Sequence, residues 1–229
     1  MDDARRALGA CPLFHGLNME EQQRLFARVR IRNLAAGEAV FLMGSAGDTM
    51  MAVLSGKIRI SVPSAEGREL LLAILSPGEV FGEIALLDGK QRTADATAMT
   101  DCSLAALDRR DVLAFLERHP AVWLNIVNVL CSRVRKADEY LAEVAFLQLP
   151  ARLAKALLRE MTADDRPKGT QQIELSQREL GNLVGAARES VNKCLRQWQD
   201  NGIISVKGSV ITVKNRAALE DLAEPGDVP

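Results

Sequence analysis

Apolar positions follow two different periods along the chain, and the change of period divides it. Between residues 37 and 89 short apolar runs alternate with glycine: Ala39-Val40-Phe41-Leu42, Met50-Met51-Ala52-Val53-Leu54, Lys57-Ile58-Arg59-Ile60-Ser61-Val62 and Glu69-Leu70-Leu71-Leu72-Ala73-Ile74-Leu75. Eight of the sixteen glycines fall in this stretch, and none occurs from Lys90 through Lys168. Strand-length runs spaced by roughly 8–12 residues, with turn formers between them, predict a β-sandwich or barrel. Ser103-Leu104-Ala105-Ala106-Leu107 closes that region.

The period then becomes helical. Pro120 and Pro150 bracket 29 residues, Ala121 to Leu149, without Gly or Pro, enough for a helix on the order of 40 Å long. Val127, Val134 and Leu141 form one heptad row; Trp123, Leu130, Ala137 and Val144 form the other. Such a helix either pairs with a second copy, as in a coiled coil, or lies on its own domain. Asn125, Asn128, Ser132, Arg133, Arg135, Lys136, Asp138 and Glu139 keep the apolar stripe narrow, which favours the dimer. A further helix is expected from Ala151 to about Met161.

Ser176 with Glu179 three residues on is a capping-box signal, so a helix should start at Gln177 and stop at Gly185. A second should run from Arg188 to about Asn201, with Val191, Leu195 and Trp198 on one face. Ile203 to Val206 and Val210 to Val213 flank Lys207-Gly208-Ser209 as a hairpin would. A helix-turn-helix followed by a hairpin is a winged helix.

Composition bounds the function. The 229 residues are 48% hydrophobic and 26% charged, so a packed core is expected. No apolar run approaches a membrane span, and the N-terminal residues carry no signal-peptide core, which points to the cytoplasm. Cys11, Cys102, Cys131 and Cys194 lack metal-ligand spacing, and His15 and His119 stand far apart; no metal site, catalytic nucleophile or phosphate-loop lysine is expected. The expectation is a protein that is not an enzyme. A net charge of -1 argues against nucleic acid until it is resolved by position. Residues 188–216 then hold six basic side chains against two acidic ones, and Glu220, Asp221, Glu224 and Asp227 follow with no base.

The most informative segment is Phe81-Gly82-Glu83-Ile84-Ala85-Leu86-Leu87-Asp88-Gly89-Lys90-Gln91-Arg92-Thr93-Ala94. Gly82 permits close backbone approach, Glu83 offers an acceptor for a sugar hydroxyl, and Arg92 can meet a phosphate. A structural Glu83–Arg92 ion pair is the plain alternative. The segment closely resembles the phosphate-binding cassette of cyclic-nucleotide-binding domains. Val144 to Leu149 followed by Arg152-Leu153-Ala154 resembles the hinge, and Leu175 to Val191 the helix-turn-helix, of the cyclic-AMP receptor protein and Fnr superfamily of bacterial transcription regulators. The resemblance covers about residues 12–216.

It implies an α+β chain: a jelly-roll-like β-roll over 12–120, a dimerisation helix and hinge over 121–149, a winged helix-turn-helix over 150–216, and an acidic tail over 217–229. By the same resemblance Glu83 holds the ribose hydroxyl, Arg92 and Thr93 hold the cyclic phosphate, and the backbone around Gly82, Ile84 and Ala85 completes the cradle. The two positions that read the adenine amino group are Ala137 and Asp138, neither a hydroxyl residue. Asp138 accepts from adenine and guanine alike, which keeps cyclic GMP open; the prevalence of cyclic AMP in the branch the chain resembles puts it first and cyclic GMP second as allosteric ligand, with no tightly bound cofactor. The Fnr branch's cysteine cluster is absent, since Cys11 stands alone in that region.

Arg188, Glu189 and Lys193 match the family's base-reading positions, and Ser176, Gln177 and Ser190 are candidates for phosphate or base-edge contacts. Implied partners are a palindromic double-stranded operator, a second copy of the chain and RNA polymerase. Two other readings stay open: a regulator of this type with another effector or active without one, and a cyclic-nucleotide module acting on a protein partner.

Overall fold

The computed structural model describes residues 17–66, 69–162 and 172–224, in two compact units, Met1–Arg135 and Lys136–Pro229. In the first unit α1 (Met19–Phe26) starts at Asn18, whose side chain accepts from the Glu21 amide at 2.9 Å while Glu21 accepts from the Asn18 amide at 2.8 Å. Two antiparallel four-stranded sheets follow. One runs in the order β1 (Arg30–Leu34), β8 (Cys102–Asp108), β3 (Thr49–Ser55) and β6 (Val80–Phe81). The other runs β2 (Ala39–Phe41), β7 (Asp95–Ala98), β4 (Ile58–Pro63) and β5 (Glu69–Leu75).

Strand β3 is buried on both faces. Met51 and Val53 join Ile58, Phe81 and Leu104 in one core, whereas Met50 and Ala52 join a second with Leu86, Leu107, Val112, Leu116, Val122 and Ile126. That second core carries side chains of α2 (Glu83–Asp88), α3 (Arg109–Arg118) and α4 (Pro120–Phe146). Double coverage explains why Met50 to Leu54 is an unbroken apolar run with no inside–outside alternation.

The prolines do not bracket the long helix as expected. Helix α4 begins at Pro120 and ends at Phe146, and α5 (Leu149–Thr162) begins before Pro150. Both prolines occupy first turns, where the missing N–H breaks no helical bond and the ring pre-sets φ. On α4, Val122 and Ile126 are buried in the unit's own core, while Trp123, Val127, Val134, Leu141 and Val144 are exposed. The helix thus lies on its own domain by a face other than the heptad stripe, which is largely exposed, though Leu130 of the heptad rows packs against the core.

In the second unit β9 (Gln172–Glu174) joins β10 (Ile204–Lys207) and β11 (Val210–Val213) in the order β10-β11-β9. Helix α7 (Arg188–Asp200) packs on β10 and α5 on β9, with α6 (Gln177–Val184) against both helices, and Leu153, Leu157, Ile173, Leu180, Val191, Leu195, Ile204, Ile211 and Leu219 are almost fully enclosed. The stretch expected to be an acidic tail is corrected in its first half. Helix α8 (Arg216–Ala223) is capped by Asn215 and buries Leu219 and Ala223. Its acidic residues occupy the outer face of an amphipathic helix; residues 225–229 lie outside the described part.

Candidate functional site

Strand β6 delivers the chain into the Gly82–Thr93 cassette. Gly82 has a φ of 79°, and a Cβ there would lie 2.6 Å from Arg92 Nη1, so both the backbone conformation and the space require glycine. Helix α2 begins at the next residue, and its first-turn amides at Ile84 and Ala85 have no intrahelical acceptor. Gly44 donates to the Arg92 carbonyl and the Arg92 amide to Ser45, each at 2.9 Å, which ties the cassette arginine to the loop after β2.

Arg92 is buried. Its guanidinium donates to Gly82 O (2.8 Å), Thr49 O (2.7 Å) and Thr49 Oγ1 (3.0 Å) and stacks 4.2 Å from the Phe41 ring centroid. Its Nε has no partner. Burial pulls its pKa below the ordinary arginine value, with Asp48 and Glu83 opposing. Glu83, 2% exposed, makes no ion pair with Arg92 among the described contacts; Arg133 of α4 takes that place. Arg133 Nη1 lies 2.8 Å from Glu83 Oε1, and its Nη2 donates to Val80 O at 2.6 Å. The approach to Oε1 is off the line of a hydrogen bond, and Oε2 has no partner. Burial raises the Glu83 pKa, against the attraction of Arg133, a backbone hydrogen bond at Glu83 and, more weakly, Arg92.

The cassette thus gathers Gly82, Glu83, Ala85 and Arg92. Ile84 and Thr93 are on its exposed side. Asp138 and Ala137 are exposed on α4 and belong to the second unit, outside the set of groups the cassette's own unit assembles. Sequence reasoning missed Arg133, one of three cations in four residues, because nothing local separates it from its neighbours. Thr49 was missed as well, since its carbonyl and hydroxyl meet Arg92 only through the tertiary fold.

In the second unit Ser176 caps α6, accepting from the Glu179 amide at 3.2 Å while Glu179 accepts from the Ser176 amide at 2.7 Å. The Ser176 oxygen is therefore engaged in capping, and Gln177 beside it is half-buried. Gly185 ends α6 at a φ of 63°, and a Cβ on Gly181 would lie 2.8 Å from Ala186 O, so this turn is as tight as two glycines permit. Helix α7 starts at Ala187 without a side-chain cap. Arg188, Glu189, Ser190 and Lys193 are all exposed on it. Gln199 Oε1 accepts from the Val206 amide at 3.0 Å, fastening α7 to the wing.

Among the described residues no group of His, Cys, Asp and Glu could hold a metal ion, and no helix is long and apolar enough to cross a membrane. His119 sits 3.1 Å from Glu21 and stacks on Phe115. Cys102 is buried, Cys194 half-buried with its thiol pKa raised by burial, and Cys131 exposed; Cys11 and His15 lie outside the described residues.

Residues 31–119 match the cyclic nucleotide-binding domain family and residues 151–222 the Crp-like helix-turn-helix domain. The chain is 35% identical to the Cyclic AMP receptor protein of Thermus thermophilus over 93% of its length and 96% of that protein's. It is 30% identical to the CRP-like cAMP-activated global transcriptional regulator of Mycobacterium tuberculosis, again over 93% and 96%. Among solved structures, the c-di-GMP responsive global regulator CLP of Xanthomonas campestris shares the fold, with a TM-score of 0.78 at 24% identity over 86% of this chain and 99% of that one. Two domain matches in this order, on a chain with that cassette and that winged helix, place it: the protein belongs to the Crp/Fnr family of DNA-binding transcription regulators.

Proposed function

We propose that the chain is a cytoplasmic homodimer whose affinity for a palindromic operator is set by a cyclic nucleotide, cAMP before cGMP, bound in the cassette. The observation that carries this reading is a pair of unmet groups. Glu83 offers a buried carboxylate whose Oε1 is ion-paired with Arg133 and whose Oε2 has no partner, and Arg92 offers a buried Nε–H without an acceptor. Leaving such groups unpaired costs free energy; a ligand presenting a hydroxyl to one and an anion to the other relieves both. A cyclic ribose phosphate carries that combination. The names of the Thermus and Mycobacterium relatives support cAMP. Arg188, Glu189 and Lys193 are the proposed base readers, Ser190 and Gln177 the flanking contacts, and RNA polymerase the proposed protein partner at a promoter.

Couplings between two such sites amount to ~1–3 kcal/mol, so the nucleotide should change operator affinity by tens of fold. Calorimetric titration of cAMP and cGMP, followed by operator binding with each, tests the reading. Arg92→Ala should abolish the nucleotide response, and an unchanged response would remove this site. A second effector class has its own support: Ala137 and Asp138 lack hydroxyls, and the Xanthomonas protein of this fold is described as c-di-GMP responsive. Binding of neither cyclic mononucleotide would favour it.

A further inference from the structure

The three base-reading positions carried by the resemblance do not fill the face they define. At about 100° per residue, Arg188, Glu189 and Lys193 span an arc of about 140° around α7. Val191, Leu195 and Trp198 lie outside that arc and are buried. Ser190 lies about 60° beyond the Lys193 edge of that arc, on the flank. Asn192 falls inside it, about 40° from Arg188, with Arg196 one turn further on. Glu189, Asn192, Lys193 and Arg196 line one shallow surface depression together, so the wheel and the surface agree.

Asn192 is half-buried there, and its Oδ1 is shielded from solvent without any hydrogen-bond partner. Shielded amide oxygens normally have a donor. This one has no internal bond to surrender when the side chain turns outward. A carboxamide is the one neutral side-chain group that offers a donor and an acceptor side by side in a plane. In the major groove that pair matches adenine: Nδ2–H donates to N7 and Oδ1 accepts from the N6 amino group.

We propose that Asn192 is a further base-reading residue, selecting adenine at one step of each half-site between the steps taken by Arg188 and Lys193. The inference rests on the DNA-reading role assigned to α7. The test is selection from randomised duplex DNA by the full chain, with and without cAMP, for wild type and Asn192→Ala. Wild type should enrich one adenine per half-site, and Asn192→Ala should lose roughly tenfold or more of that preference while keeping the rest of the site. Replacing that adenine by 7-deazaadenine, which lacks the N7 acceptor, should weaken wild type and leave Asn192→Ala unmoved. A selected site identical for both proteins, equal sensitivity to 7-deazaadenine, or uniform weakening on all sequences, as for a phosphate contact, would overturn the inference alone. A wild-type chain that selects no site would overturn the DNA-reading role with it.

Discussion

At the scale of single residues, Glu83 concentrates the energetics of the sensor. Its carboxyl pKa lies above the ordinary 4.5 because burial outweighs the pull of Arg133 and Arg92. The fold therefore prefers the protonated form. The contribution of Glu83 to stability is complete below pH 4.5 and is lost as pH rises through the elevated value. Glu83→Gln keeps the site neutral throughout, so its melting temperature should gain on that of wild type from pH 4.5 towards neutrality, as followed by calorimetric scans at stepped pH. The residue types of Glu83 and Arg92 were readable because their spacing is local. Arg133 was not: its partner lies fifty positions earlier in the chain, and only the tertiary fold brings the two within 2.8 Å.

At the scale of elements, the end of α4 is held by one carboxylate. Glu143 is buried, and Arg159 of α5 grips both its oxygens at 2.7 and 3.1 Å, with Lys155 4.0 Å away. The two partners are unequally enclosed, with side chains 10% and 47% exposed. Truncating Arg159 leaves a buried anion with only a distant cation, whereas truncating Glu143 frees a cation that already reaches water. Arg159→Ala should therefore cost about 1–3 kcal/mol, after allowance for solvent screening, and more than Glu143→Ala; urea unfolding of both variants measures the asymmetry. Elements differed in legibility for similar reasons. Strands β3, β4 and β5 were readable because glycine punctuates them. Strand β1 is exposed at four of its five positions and has no apolar pattern, and β6 is two residues long. Helix α8 carries Leu219, Leu222 and Ala223 at helical spacing, a period masked by its acidic charge.

At the scale of the whole molecule, the exposed heptad positions of α4 need a partner. Val134 and Leu141 are 58% and 67% exposed, and regulators of this family are dimers that bind DNA. Val134→Glu places a charge in each copy of the seam while leaving Val122 and Ile126 in their own core. It should shift the protein to monomer by sedimentation equilibrium and weaken operator binding far more than it lowers the melting temperature.

Strand β3 has a consequence for how the sensor comes apart. Because alternate residues of one seven-residue strand belong to two different cores, neither core can be solvated while the other persists. The two are not separate reservoirs of stability but a single cooperative foldon, with β3 among the last segments to open. The guanidinium of Arg92 is bonded to Thr49, the first residue of that strand. A ligand in the cassette, as proposed, would therefore act on an arginine tied directly to a strand that both cores share.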